Sequence, residues 1–98
     1  MNRQEKYIER GDLKGASHLE VAVYYTKGSG ATPRGYYLSV RPVTVRNGMV
    51  SFDLLSGRRQ LLFETSRFTA RQFARAVAMA RDAEEDLIAA VAAENKAA

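Results

Sequence analysis

Between Phe68 and Ala93, apolar residues recur with the period of an α-helix. With Phe73 as the centre of a stripe, Ala76, Val77, Ala80, Leu87, Ile88 and Val91 fall within about 60° of it. Arg71, Arg75 and Asp82 fall on the far side. The start of this helix is well marked. Thr69 stands at the N-cap, and Gln72 can reach back to it in a capping box. Phe68 and Phe73 can close a hydrophobic staple across the cap.

Upstream the period falls to two. Leu19 to Thr26 sets Leu19, Val21, Val23 and Tyr25 against Glu20, Ala22, Tyr24 and Thr26. Gly35 to Arg46 opens with Tyr36, Leu38 and Val40 on one face, then continues with Val43 and Val45 in opposite parity. That switch predicts a bulge at Arg41-Pro42. Met49 to Leu55 contributes Val50, Phe52 and Leu54, and Arg59 to Thr65 contributes Leu61 and Phe63. Asn47-Gly48 is a two-residue hairpin signal that pairs Val45 with Val50 and Val43 with Phe52. Ser56-Gly57 as a similar loop pairs Phe52 with Leu61 and Val50 with Phe63. Pairing Tyr25 with Tyr36 aligns Val23 with Leu38 and Val21 with Val40, leaving residues 27–34 as the loop.

The pattern predicts an α+β fold: a four-stranded antiparallel meander packed on one long C-terminal helix, ββββα, over residues 19–98. Residues 1–18 read as a peripheral segment, with a short helix over Asn2 to Arg10 anchored by Tyr7 and Ile8. A helix about 37 Å long should overhang a four-stranded sheet about 19 Å wide. Glu84, inside the apolar stripe, marks the exit from the sheet. Beyond it, Leu87, Ile88 and Val91 need cover, from a second copy in a homodimer or from residues 1–18.

Composition then narrows the function. The 98 residues have an apolar and charged content ordinary for a globular chain and contain no cysteine. A run of about 18 apolar residues is missing, and the N-terminus is polar, so a cytoplasmic, non-membrane protein is expected. The formal net charge of +4 is unevenly spread. Residues 27–81 carry ten bases against Asp53 and Glu64; residues 82–98 carry Lys96 against Asp82, Glu84, Glu85, Asp86 and Glu94. A basic middle of this kind favours polyanions.

Catalysis has little footing. His18 is the only histidine, and neither a metal set nor a cofactor motif is present. Lys27 to Gly35 is glycine-rich and basic but lacks the ending of a phosphate-binding P-loop. It reads as a mobile hairpin loop, or as a clamp with Lys27 and Arg34 on phosphates. On the outer sheet face the register sets Tyr24 opposite Tyr37 and Glu20 opposite Arg41, with Arg46 further along. Tyrosines among arginines suit base stacking with phosphate contact, and suit equally a cross-strand aromatic pair beside an ion pair. A third arrangement has residues 1–18 folded over them. Arg67, Arg71 and Arg75 crowd the positive end of the helix dipole, where helix stability does not explain them. With Arg58 and Arg59 they could form a basic patch. Arg10-Gly11-Asp12 spells an adhesion tripeptide, read here as chance.

Four antiparallel strands followed by a helix resemble, over residues 19–93, the positive-cofactor and Whirly single-strand DNA-binding families, in topology alone. Arg34-Gly35-Tyr36-Tyr37-Leu38-Ser39-Val40 with Pro42-Val43 resembles a segment in small uncharacterised proteins of conjugative elements of Gram-positive gut bacteria, implying a mobile-element setting and no particular activity. The expected function is a non-enzymatic module for single-stranded DNA or RNA. Tyr24 and Tyr37 would stack bases, and Lys27, Arg34, Arg41 and Arg46 would hold phosphates. The competing expectation is a protein-interaction or self-assembly module using Leu87, Ile88 and Val91 as its interface.

Overall fold

A computed structural model of the chain describes residues 3–52 and 56–97. In chain order the elements are β1 (Arg3–Glu9), β2 (His18–Thr26), β3 (Gly35–Arg46), β4 (Met49–Phe52), β5 (Arg58–Glu64) and α1 (Ala70–Glu94). The architecture is the expected antiparallel sheet under one long C-terminal helix. The sheet runs β1-β2-β3-β4, and β5 also pairs with β3.

The N-terminal segment corrects the first expectation. Arg3–Glu9 is a strand paired with β2, from Arg3 opposite Tyr24 to Glu9 opposite His18, where a helix was predicted. Its residues Arg-Gln-Glu-Lys-Tyr-Ile-Glu are charged on both faces because it is an edge strand, and charge on an edge discourages pairing with other chains.

The first hairpin has the expected register: Tyr25 pairs with Tyr36, Val23 with Leu38 and Val21 with Val40. Asn47 and Gly48 both adopt positive φ, 54° and 76°, as a type I′ turn requires. Val45 meets Val50 and Val43 meets Phe52, as expected.

The predicted bulge at Arg41-Pro42 is absent from the β2 pairing, which runs through Pro42 opposite Leu19 without a slip. Instead β3 changes partners on its other edge. Gly35 to Val40 pair with β5, and Val43 to Arg46 pair with β4. Val43 and Val45 direct their backbone groups toward Ser17, on the β2 side. Two residues share an orientation only at even spacing, so the ring nitrogen of Pro42 faces the other edge, in the gap between the two partners. A residue without an N–H leaves no ladder bond unmade there.

It follows that β4 and β5 lie end to end along β3, and the expected pairing of β4 with β5 through Ser56-Gly57 does not form. Gly57 instead lies flat against β3; a Cβ there would sit 2.5 Å from the Arg41 Cβ and 2.8 Å from the Val40 carbonyl oxygen. The stretch predicted as strand at 53–55 lies outside the described residues. Parity is therefore unbroken in β3, and Phe52 faces outward, 48% exposed beneath the Arg41 guanidinium. Phe63 faces inward, with its ring 5.0 Å from that of Tyr36. The irregularity on β3 falls instead between Tyr36 and Tyr37, in the pairing with β5. It lets Leu62 and Phe63 both pack against the core.

Helix α1 packs across β2, β3 and β5. Thr69 caps it, accepting a hydrogen bond from the Gln72 N–H at 3.1 Å. The second half of the capping box is replaced. The Gln72 side-chain oxygen accepts from the Thr65 hydroxyl. The buried Tyr36 hydroxyl accepts from the Thr69 N–H at 3.0 Å and donates to the Thr69 carbonyl at 3.1 Å. The Phe68–Phe73 staple closes at 5.7 Å between ring centroids.

The far half of the helix does not overhang bare. Val91 is fully buried in one cluster with Leu13 and Leu19, and Leu87 and Ile88 pack against that cluster. Residues 10–17 supply the cover. Lys14 N–H donates to the Asn95 carbonyl at 2.7 Å, and Ala97 N–H donates to the Asp12 carbonyl at 2.8 Å. Of the two covers anticipated for this face, the chain's own N-terminal segment provides it. Glu84 is paired with Lys6 of β1 at 3.0 Å, which offsets the cost of a carboxylate near the stripe.

Candidate nucleic-acid interface

The sheet's outer face carries a row of four stacked groups. Tyr24 and Tyr37 lie opposite each other on β2 and β3, with rings 5.9 Å apart and 19° from parallel. The Arg3 guanidinium lies 5.4 Å from the Tyr24 ring, and that of Arg59 lies 5.2 Å from the Tyr37 ring. Tyr37 is only 3% exposed, and its hydroxyl donates to the Pro33 carbonyl at 2.6 Å. This tyrosine has no face left for a base. The proposed stacking platform is thus an internal stack, capped at both ends by cations.

Arg41 is also committed. It donates to Glu20 at 2.7 Å and lies over the Phe52 ring at 3.8 Å. Glu20, 1% exposed, further accepts from Arg3 at 3.1 Å and from the Tyr7 hydroxyl at 3.1 Å. Burial, and then the bond to Glu20, push the Tyr7 phenol above its ordinary value. A buried carboxylate with three donors is satisfied. Its effect is to cancel charge on this part of the face, so Arg41 is removed as a phosphate ligand.

Lys27 and Arg34 fare differently. The loop between β2 and β3 is folded on itself: Thr32 N–H donates to the Ser29 carbonyl at 2.9 Å, and Gly28 and Gly30 adopt positive φ. A Cβ on Gly28 would meet the Thr32 carbonyl oxygen at 2.3 Å, so this turn admits only glycine there. Arg34 fastens the base of the loop, donating to the Lys27 carbonyl at 3.1 Å and to the Ser66 carbonyl at 3.3 Å. Arg59 donates to the Thr32 hydroxyl at 3.0 Å. Arg67 follows Ser66, just before the helix cap.

These contacts bring the Arg34 guanidinium to the backbone of Lys27 and of Ser66, next to Arg67, and the Arg59 guanidinium to the same loop, so four basic residues, all exposed, share one end of the molecule. Among the described residues none of them is ion-paired. Glu64 sits at the end of β5 opposite Gly35 and forms no ion pair with them. The sequence marked Lys27 and Arg34 through the glycine-rich loop and Arg59 and Arg67 through the patch suggested at the helix start, whose other members Arg58, Arg71 and Arg75 are not in this group. Which of them converge depends on the loop's turn, which the pattern of residues does not reveal.

The remaining candidates lie elsewhere. Arg46 stands at the opposite end of the 12-residue β3 from this group. Arg58 is ion-paired with Glu94, and Arg75 lies over the Phe63 ring at 4.4 Å. Val91 has no exposed surface to offer a second copy, and Leu87 and Ile88 are half-buried beside it. Arg10 grips Asp12 through two hydrogen bonds of 2.9 and 2.8 Å, so the tripeptide's charges are closed on each other. Ser17 and His18 share a 2.7 Å hydrogen bond, and the Ser17 hydroxyl also accepts from Val45 N–H, tying β3 to the segment before β2. Among the described residues no three of His, Cys, Asp and Glu group closely enough to hold a metal ion. No described helix is long and apolar enough to cross a membrane. Compared with family models, curated proteins and solved structures, the chain finds no match.

Proposed function

We propose that this protein is a non-enzymatic nucleic-acid-binding module that holds the phosphate backbone, single strands included, at its cationic end. The observation that carries the reading is the gathering of Lys27, Arg34, Arg59 and Arg67 at one end of the molecule, none of them ion-paired among the described residues although Glu64 stands at the same end. Phosphate contacts supply affinity and little sequence information. Tyr37 acts here from within, by setting the Arg59 guanidinium in place, Tyr24 stacks behind it under Arg3, and neither receives bases.

Fluorescence anisotropy with labelled single-stranded and duplex oligonucleotides at low salt tests the proposal. Binding in the micromolar range, with little preference among base sequences, is the expected result. Tyr24→Ala should change affinity less than threefold. Absence of binding at tens of micromolar removes the proposal. A tenfold loss on Tyr24→Ala would restore a stacking role and overturn the backbone-only reading.

A further inference from the structure

The face of α1 turned away from the sheet carries a charge order that the chain itself does not use. Arg71 leads, Ala74 and Ala78 follow, Arg81 stands at one edge of the face, and Asp82, Glu85 and Asp86 come last; all seven are exposed. The first turn of the helix contains no acid and the last turn no base. This is the opposite of what the helix dipole favours. Nor is it explained by pairing within the chain: among the described residues Arg71, Asp82, Glu85 and Asp86 form no ion pair. Arg75, which could otherwise serve, is laid over Phe63 toward β5.

The geometry points to a second copy of this chain as the occupant of that face, its helix running antiparallel to the first and crossing it at Ala78. Reversing the direction is what makes the charges complementary. Arg71 lies as far before Ala78 as Glu85 lies beyond it. An antiparallel pair crossing there sets Arg71 of each copy level with Glu85 and Asp86 of the other, and sets Arg81 level with an Arg75 that is drawn aside over Phe63. Two-fold symmetry makes the contact twice. Ala74 and Ala78 offer only methyl groups at the centre, which permits axes to approach to about 8 Å. The sheets stay on the outside, and Lys27, Arg34 and Arg59 remain free. A single pair of helix faces buries less than the roughly 1,200–2,000 Å² of a stable complex. The dimer therefore forms at high protein concentration and dissociates in salt.

Sedimentation equilibrium at low salt, up to about 500 μM protein, tests this arrangement. The mass of the wild-type chain should rise from 10.9 kDa toward twice that value and fall back in about 0.5 M salt. Arg71→Glu alone, and Glu85→Arg with Asp86→Arg, should each hold the chain as a monomer. The three changes together should restore the dimer. A second measurement uses the absence of cysteine: Ala78→Cys should oxidise to a covalent dimer, and Ala89→Cys much more slowly. A wild-type mass that stays at the monomer value overturns the proposal. So does a dimer indifferent to these reversals, or a faster crosslink at position 89 than at 78.

Discussion

Tyr36→Phe removes one oxygen atom from the middle of the fold. That hydroxyl, in a fully buried side chain, holds both backbone groups of the helix cap residue, Thr69. The ring itself touches Tyr25, Phe63, Phe68 and Phe73, so phenylalanine keeps the packing and loses only the two hydrogen bonds. Each bond contributes about 0.5–1.5 kcal/mol net, and a donor left unpaired costs about 1–3 kcal/mol. Thr69 is half-buried, so water recovers part of this. The expected loss is about 2 kcal/mol, corresponding to a fall in Tm of roughly 10 °C for a domain of this size. Urea denaturation followed by circular dichroism measures it, with Thr69→Ala as the comparison. Thr69→Ala removes only the side-chain cap, at about 1 kcal/mol, and because Tyr36 bonds Thr69 directly the double variant should depart from the sum of the two losses by about 0.5–3 kcal/mol. A Tyr36→Phe variant within about 0.5 kcal/mol of wild type would refute the claim that the strand's tyrosine caps the helix.

Three further outcomes are expected. Glu20→Ala strands the Arg3 and Arg41 charges and the Tyr7 hydroxyl, but both arginines keep some access to water, so the loss should be about 1–3 kcal/mol in urea denaturation. Gly57→Ala presses a methyl group on Arg41 and Val40 and should cost about 1–3 kcal/mol, whereas Gly11→Ala meets nothing within 4 Å and should be neutral or slightly stabilising in the same assay. Arg10 holds the Asp12 carboxyl down to about 2; its contribution to stability is present above the unfolded carboxylate value near 3.9 and is lost as pH falls toward 2. Carboxyl-carbon NMR shifts should follow this titration, and Arg10→Gln should return the midpoint toward about 4.

Those elements whose signals are local were legible in the sequence. Asn47-Gly48 can form only one kind of tight hairpin, and Thr69 with Phe68 and Phe73 marks a helix start without help from tertiary contacts. The Tyr25–Tyr36 register was readable because a one-residue slip would turn Val21, Val23, Leu38 and Val40 outward. β1 was not legible because its role as an edge allows charges on both faces, and Arg-Gln-Glu-Lys suits a helix equally well. The exchange of partners along β3 was missed because an apparent parity switch at Pro42 has two explanations. One is a bulge in the strand. The other, which the fold adopts, is that Val43, Val45 and Phe52 remain on the outer face. The tyrosine pair was placed correctly, but its availability was not, because Tyr37 is covered by Arg59, distant in sequence, and by Pro33, which is near in sequence but folds back only through the turn of its loop. The cover of Val91 by Leu13 is equally long-range.

The central claim is that Lys27, Arg34, Arg59 and Arg67 act together on phosphates. The dependence of oligonucleotide affinity on salt tests it most directly. Four phosphate contacts on a single strand give a slope of log K against log salt of about −3. Lys27→Glu with Arg67→Glu should reduce that slope by half or more, while Arg46→Glu, at the other end of β3, should leave it unchanged. A slope near zero, or equal losses from Arg46→Glu and from the pair at the cationic end, would contradict the account.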